Sequence, residues 1–201
     1  MKTTEKIDLE YYKRKFKEIN NENKDSSIAE YIEKDGTQVR ILLDEEGYTV
    51  ITISPMSFKK EVRDFYNNNY LKEEGSFFFN SFIKIGIWRE YDERGYLVKE
   101  TDEDKKFEKL YLKPENILRW LEREGYIDRQ TGKGQEKFVG DLQNEPNISI
   151  SFGEAERTGF LGKRTPATWT ITIIDGGGGV TYNFDAEDGL IISKEILEAI
   201  E

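Results

Sequence analysis

The side chains of this chain that could do chemistry are carboxylates, lysines, tyrosines and serines. The 201 residues include no histidine and no cysteine, which removes the commonest general base, the commonest metal ligand, thiolate metal sites and disulfide bonds. Carboxylates are numerous, with 40 Asp and Glu against 30 Lys and Arg. Because none of them stands in a recognisable catalytic motif, the sequence predicts no catalytic residue, no metal site and no cofactor.

The net charge of −10 is concentrated in the last third of the chain. From Val139 to the C-terminus there are four basic and eleven acidic residues, a net charge of −7. An acidic surface repels phosphate backbones, which argues against nucleic acid as a direct ligand, whereas a basic protein would be attracted. The alternative explanation is that the charge only keeps the protein soluble.

Six residues are the candidate contacts for such a protein partner. Trp88 and Tyr91 are large aromatic residues of the kind that anchor interfaces, although for Trp88 a place in the core is the favoured alternative. The other four candidates are acidic residues in polar turns that contain glycine, and such turns usually lie at the surface. These four are Asp92, Glu93, Glu187 and Asp188.

The elements that must position these residues include two copies of one motif. Residues 63–74 and 89–100 share the order Arg, acid, aromatic, polar turn, Tyr-Leu and a final acid. Asn69 stands where Gly95 stands, and both residue types tolerate a positive φ. Each copy is therefore predicted to form a strand, a tight turn and a second strand. Fainter acidic turns that end in glycine precede the two copies.

Hydrophobic periodicity predicts the remaining elements. An apolar stripe of Leu9, Tyr12, Phe16 and Ile19 predicts a helix over 5–19 that packs against a sheet. Period-two alternation predicts a hairpin over 38–53 and strands around 82–88, 148–152, 169–173 and 180–184. Residues 58–66 also fit a helix face, but a strand is predicted there because residues 63–74 align with the second motif copy. Pro114 is expected to begin a helix that Gly125 ends, with an apolar stripe of Ile117, Leu118 and Leu121. A last helix, capped by Ser193, is predicted at 194–200. A loop is predicted at 101–106, and a loop or domain linker at 128–136.

Two turns in the C-terminal part have the composition of ligand loops. Four glycines at 176–179 follow a strand, but no Lys-Ser, Lys-Thr or helix comes after them, so a hairpin turn is favoured over a phosphate loop. The turn at 185–189 is acidic but lacks the alternating ligands and the closing Glu of a calcium loop. A plain turn is therefore favoured there too.

Together these elements predict an α+β fold in two parts. Residues 1–110 are expected to form an antiparallel β-hairpin meander with an N-terminal helix, and residues 111–201 a small unit of a helix and an antiparallel sheet. No apolar run approaches the ~20 residues needed to span a bilayer, and residues 1–8 are charged, unlike a secretory signal. The sequence thus predicts a cytoplasmic protein without a membrane partner.

Residues 63–100, which contain both motif copies, resemble a MORN-repeat variant found in YwqK-type antitoxins. The resemblance rests on Gly-x-Trp-x-x-Tyr, a turn with Gly, then Leu and a charged end, carried here by Gly86, Trp88, Tyr91, Gly95, Leu97 and Glu100. Residues 112–190 resemble a PepSY-type unit, with a helix, an aromatic-led strand at Trp169 and an Asp-x-x-Asp-Gly turn. Both resemblances imply binding rather than catalysis and MORN-like hairpins in the first part.

The YwqK-type resemblance implies a bacterial antitoxin or immunity protein that neutralises a cognate toxin by direct contact. The acidic balance predicts that this toxin is basic. The alternative is a non-catalytic cell-envelope or scaffold protein that uses the same repeats for interaction. A hydrolase built on two carboxylates is a third class, but its residues are recognised by geometry and no motif identifies them.

Overall fold

The computed structural model describes residues 9–19, 27–43, 45, 47–139, 147–157, 164–175 and 177–198. Within them the protein is an α+β fold of two large antiparallel sheets, one two-stranded ladder and two α-helices, which confirms the predicted fold class. The helices are α1 (Leu9–Ile19) and α2 (Pro114–Arg123), and Glu103–Phe107 forms a short 3₁₀-helix. Residues 5–8 of the predicted first helix lie outside the described residues.

Sheet 1 is a seven-stranded meander in which every strand pairs with the next one along the chain. Its strands are β1 (Ile28–Ile32), β2 (Gln38–Leu43), β3 (Gly47–Ile53), β4 (Lys59–Tyr66), β5 (Leu71–Phe78), β6 (Lys84–Tyr91) and β7 (Leu97–Asp102). The prediction of a strand over 58–66 is confirmed. The prediction of a loop over 101–106 is wrong, because β7 runs to Asp102 and the 3₁₀-helix follows it directly.

The two motif copies form the hairpins β4–β5 and β6–β7 with the same turn. The N–H of Tyr66 donates to the carbonyl of Tyr70 at 2.9 Å, and Asp92 makes the corresponding bond in the second copy, also at 2.9 Å. Asn69 has a φ of 71° and Gly95 a φ of 80°. Both residues therefore occupy the left-handed position that closes a three-residue hairpin loop, as the exchange of Asn for Gly predicted.

Sheet 2 has four strands in the order β13-β12-β11-β8, and two very short strands form a separate ladder. The strands of this part are β8 (Asn147–Gly153), β9 (Glu156–Arg157), β10 (Arg164–Thr165), β11 (Thr168–Asp175), β12 (Gly178–Asp185) and β13 (Ile191–Leu197). β11 and β12 pair from Thr168 with Asp185 to Asp175 with Gly178. The described glycines of this segment therefore lie at the hairpin between β11 and β12, as predicted, with Gly178 and Gly179 already in β12.

The prediction of a last helix at 194–200 is wrong for the described residues, because residues 191–197 form strand β13 instead. Residues 199–200 of that prediction lie outside the described residues. Val180 pairs with Ile196 and Tyr182 with Lys194, so β13 satisfies the hydrogen-bonding groups along the outer side of β12. A short helix at this position would leave that side of β12 unpaired. The side chain of Ser193, expected to cap the helix, instead accepts a hydrogen bond from Asn183 Nδ2 at 2.8 Å.

Two hydrophobic clusters hold these elements together. The smaller one lies between sheet 1 and α1, where Tyr12 and Phe16 pack against the buried face of the sheet as predicted. Ile19, the last residue of the predicted stripe, is exposed. The larger cluster joins Phe78 of β5 to Trp169 of β11 and includes the buried residues of α2. This larger cluster continues across residue 110, and we call it the shared cluster.

Helix α2 begins and ends where the sequence predicts. Pro114 is its first residue, where the missing N–H removes no helical bond, and the side chain of Asn116 accepts the N–H of Lys113 at 3.0 Å. Gly125 follows the helix with a φ of 81°. The predicted apolar stripe of α2 is buried in the shared cluster, and its members are Ile117, Leu118 and Leu121.

The segment predicted as a loop or linker at 128–136 is irregular but is held to sheet 1. Gln135 Nε2 donates to the carbonyls of Ser54 and Ser57 at 2.6 and 2.7 Å. The N–H of Phe138 donates to Gln38 Oε1 at 2.8 Å. These hydrogen bonds fix the segment and the residues just after it against sheet 1, so the segment is not a free linker.

Candidate interaction surfaces

The two aromatic candidates, Trp88 and Tyr91, lie inside the protein. Trp88 is 3 % exposed and Tyr91 is 8 % exposed. A Cβ on Gly75 would lie 2.2 Å from the Trp88 ring, so the ring fills the space above the glycine. The hydroxyl of Tyr91 donates to Glu74 Oε1 at 2.7 Å. Both side chains therefore support the second hairpin and offer almost no surface to a partner.

Asp92 and Glu93 have different roles in the turn between β6 and β7. Asp92 Oδ1 accepts the N–H groups of Arg94 and Tyr96, both at 2.9 Å, so this carboxylate holds the turn together. Glu93 is exposed, and its carbonyl accepts Asn68 Nδ2 at 2.9 Å. Glu93 is therefore a surface carboxylate on a backbone that the neighbouring turn holds in place.

The asparagines of the first motif copy connect three turns at this end of sheet 1. Asn68 reaches the turn after β6, and Asn67 Nδ2 donates to the carbonyl of Glu45 at 3.0 Å in the turn after β2. Glu45 and Glu93 are both exposed. The connected turns thus present separate carboxylates from a fixed backbone at the end of the sheet that is remote from the shared cluster.

Glu187 and Asp188 lie in the turn between β12 and β13. Glu187 binds Arg164 through two hydrogen bonds of 2.8 and 2.5 Å. Asp188 is exposed, and its Oδ1 accepts the N–H of Leu190 at 2.8 Å. Ala186 in the same turn is fully buried in the shared cluster. This acidic turn is therefore anchored, and it leads directly into β13.

The four acidic candidates are not brought together by the fold. Asp92 and Glu93 follow β6 at the end of sheet 1 beside the smaller cluster, where Tyr91 is packed. Glu187 and Asp188 follow β12 beside the shared cluster. They form two separate acidic turns rather than one acidic face.

The surface that the sequence prediction missed is strand β13. Six of its seven residues are exposed, and Ile196 is 77 % exposed. The exposed aliphatic residues along this strand, which we call the β13 patch, are Leu190, Ile191, Ile192, Ile196 and Leu197. The aliphatic run Leu190-Ile191-Ile192 directly after an acidic turn could have indicated this strand. The sequence pattern instead predicted a helix at 194–200.

The charges beside the β13 patch are mainly negative. Four acidic residues flank or interrupt it, namely Glu187, Asp188, Glu195 and Glu198. The one basic residue of β13 is Lys194, whose Nζ lies 5.1 Å from the ring centroid of Tyr182 on the neighbouring strand. The Lys194 ammonium group therefore lies over β12 and not along the outer side of β13. The patch combines aliphatic side chains with a negative border.

A cleft of about 710 Å³ lies between sheet 1, the 3₁₀-helix and the start of α2. Phe58, Phe107 and Leu118 contribute apolar walls. Its charged lining residues balance, with four acidic and four basic side chains: Asp102, Asp104, Glu108, Glu115, Lys59, Lys105, Lys113 and Arg129. The lining of the cleft therefore carries no excess of either charge.

One of these carboxylates, Glu115, is held by two arginines. Arg129 Nη1 lies 2.9 Å and Arg119 Nε 3.2 Å from Glu115 Oε1. Partial burial alone would raise the pKa of Glu115, but the hydrogen bonds and charges of Arg129 and Arg119 outweigh it and lower that pKa. Glu115 therefore carries its negative charge at neutral pH and ties the segment after α2 to the first turn of the helix.

Over the described ranges, no helix is long and apolar enough to cross a membrane, and no three acidic side chains are grouped so that they could hold a metal ion. No protein-family model matches the chain, and no curated protein matches it.

Proposed function

We propose that the protein is a bacterial immunity protein or antitoxin that neutralises a cognate basic toxin by direct contact in the cytoplasm. The observation that carries the proposal is the β13 patch with its negative border. An exposed run of aliphatic side chains with a charged rim is typical of a surface that another protein covers. The excess of acidic over basic residues at the border favours a basic partner.

Neutralisation of this kind requires contact and no chemical step. The aliphatic residues supply the area that is removed from water, at roughly 25 cal/mol for each Å² of apolar surface. The acidic residues attract the partner before contact and speed association, an effect that salt screens. In this proposal the MORN-like hairpins of sheet 1 are the scaffold, and their acidic turns add to the field that attracts a basic toxin.

The test is binding and protection with the product of the adjacent gene. We expect the purified chain to form a stoichiometric complex with that product, and co-expression to restore growth of cells that the product inhibits. Because the attraction is electrostatic, raising salt from 50 to 500 mM is expected to slow association by roughly tenfold or more. The absence of a complex at micromolar concentrations of both proteins would remove the proposal.

A further inference from the structure

The outer side of β13 carries backbone hydrogen-bonding groups that pair with no strand among the described residues. In sheet 2, β13 pairs with β12 on one side and with no described strand on the other. In an antiparallel sheet, alternate residues of an edge strand therefore direct their N–H and C=O groups away from the sheet. Since six of the seven residues are exposed, another strand can approach this side.

The other edges of the two sheets are less accessible to a new strand. On β7, Lys99 and Glu100 form ion pairs with residues of β6, and charged side chains on an edge oppose strand addition. On β8, the carbonyl of Ile148 already accepts Asn80 Nδ2 at 2.9 Å. At β1, helix α1 packs beside the strand. β13 is therefore the described edge that is best suited to accept a strand.

Side-chain bonds hold β13 in register on the sheet. Asn183 of β12 accepts from Thr170 Oγ1 at 2.7 Å and donates to Ser193 Oγ at 2.8 Å, which links three strands in one row. Lys194 lies over the ring of Tyr182. A strand that is fixed in this way is a preformed surface. Binding of another segment therefore costs less conformational entropy in β13 itself.

We infer that β13 is the docking edge for an extended basic segment of the partner, which adds to sheet 2 as a further strand. The inference rests on the proposed function and names its surface and binding mode. Ile196 lies on the face of Val180, and Glu195 lies on the opposite face, because paired residues share a face. A segment that alternates aliphatic and basic residues therefore places apolar groups beside Ile196 and cations beside Glu195.

A second copy of the chain fits this edge less well. Two β13 strands that paired with each other would bring both negative borders together, and like charges placed opposite each other destabilise a ladder. Each border has the four acidic residues named above against two cations, Lys194 and the Arg164 that is bound to Glu187. Charge complementarity therefore selects a basic partner over self-association.

The first experiment uses the full chain and a synthetic ten-residue peptide of alternating valine and lysine. The control peptides alternate valine with glutamate or carry N-methyl groups on the peptide nitrogens that would face β13. At low salt we expect the lysine peptide to bind at least about tenfold more tightly than either control. Hydrogen exchange is expected to slow at the amides of 191–197. Protection confined to other strands would overturn the inference.

Matched variants test which edge is used. Ile196→Lys and Ile192→Lys place a cation on exposed positions of β13, and Val98→Lys makes the same kind of change on exposed β7. We expect each β13 variant to bind the lysine peptide about tenfold more weakly than the native chain does, and Val98→Lys to bind it as tightly as the native chain. Equal effects at the two edges would overturn the inference, as would a dimer with protected β13 amides in the absence of peptide.

The same variants separate this inference from the proposed function. If the adjacent-gene toxin binds the native chain and both β13 variants equally well, with β13 amides still exchanging freely, the docking edge is wrong and the proposed function stands. If the toxin forms no complex with the native chain, the proposed function fails whatever the peptide does. Loss of toxin binding in Ile196→Lys but not in Val98→Lys would support both.

Discussion

The outer strands β7 and β13 show two ways of ending an antiparallel sheet. β7 carries charged residues whose partners lie on the next strand inward: Lys99 Nζ is 2.7 Å from Glu90, and Arg89 Nε is 2.9 Å from Glu100. β13 instead carries exposed aliphatic residues over most of its length. Backbone geometry is the same in kind at both edges, so the side chains decide which edge resists another strand and which accepts one.

The supports beneath the two edges also differ. The β7 side depends on a local fit, in which the Trp88 ring occupies the space above Gly75. The β13 side depends on the shared cluster, where Trp169 stacks on Phe107 with ring centroids 5.6 Å apart and meets Phe78 at 5.8 Å. Each edge can therefore be weakened separately.

Removing the aromatic centre of the shared cluster has the largest expected effect. Trp169 is fully buried, and its Nε1 donates to the carbonyl of Leu112 at 2.9 Å. Trp169→Ala is expected to lower the free energy of unfolding by about 3–5 kcal/mol, measured by urea denaturation. Phe82→Ala is the control, because Phe82 is 85 % exposed and should change stability by less than about 0.5 kcal/mol.

Hydrogen exchange locates the effect of Trp169→Ala. We expect the amides of β12 and β13 to lose more protection than those of β2 and β3, which lie on the smaller cluster. Equal loss of protection in both sheets would show that the two edges share one support, and the comparison between them would fail.

Filling the space above Gly75 tests the support of the β7 side. The added methyl group of Gly75→Ala would overlap the Trp88 ring, and overpacking of this kind is expected to cost about 1–3 kcal/mol. Gly178→Ala on β12 is the matched control, because its Cβ would lie 3.5 Å from the nearest atom, the carbonyl oxygen of Leu197. The measurement is again urea denaturation, and a stable Gly75→Ala variant would refute this account of the Trp88 packing.

Exchanging the character of the edges has a smaller effect on stability. The double change Lys99→Ile and Glu100→Ile removes two exposed ion pairs, which contribute about 0.2–1 kcal/mol each. It also gives β7 the aliphatic surface of β13, so we expect concentration-dependent association in sedimentation velocity experiments. Val98→Lys should remain as monodisperse as the native chain. A double variant that associates no more than the native chain would show that charge is not what blocks β7.

Lowering the pH has the smallest expected effect on stability, and it acts through Glu115 on helix α2, which packs in the shared cluster. The pKa of Glu115 is lower in the folded protein than in the unfolded chain. Its stabilisation is therefore complete above the unfolded value of about 4.3 and is lost as the pH falls through the folded pKa. We expect Glu115→Gln to lose less stability than the native chain between pH 6 and pH 3. Equal losses would contradict the role of the Arg129 contact.

Turn chemistry and periodicity determined much of this fold at the level of sequence. The hairpins at 63–100 follow from local residues, because Asn69 and Gly95 can adopt the left-handed conformation that closes each loop. Helix α2 follows from Pro114, Gly125 and one apolar stripe. These features depend on residues close together in the chain, so local sequence patterns are sufficient to predict them.

The burial of Trp88 depended on a partner that is distant in sequence. The alternation that predicted a strand at 82–88 puts Ile83, Ile85 and Ile87 on one apolar face, yet Ile87 is 41 % exposed and Trp88 is buried. The pairing of β5 with β6 is irregular between Glu74 and Ser76, where Gly86 has a φ of 66° and the Trp88 ring takes the space left by the absent side chain of Gly75. Which residue stands across a ladder is a property of strand register, and periodicity within one strand does not contain it.

Strand β13 was decided by the tertiary structure alone. Residues 194–200 have an apolar spacing that suits a helix, and Ser193 precedes them as a helix cap would. In the folded protein the open edge of β12 offers backbone partners to 191–197. Pairing with an existing sheet supplies more hydrogen bonds than a marginal short helix can. The same pairing exposes the aliphatic residues of β13, so the surface on which the proposed function rests exists only once both strands have met.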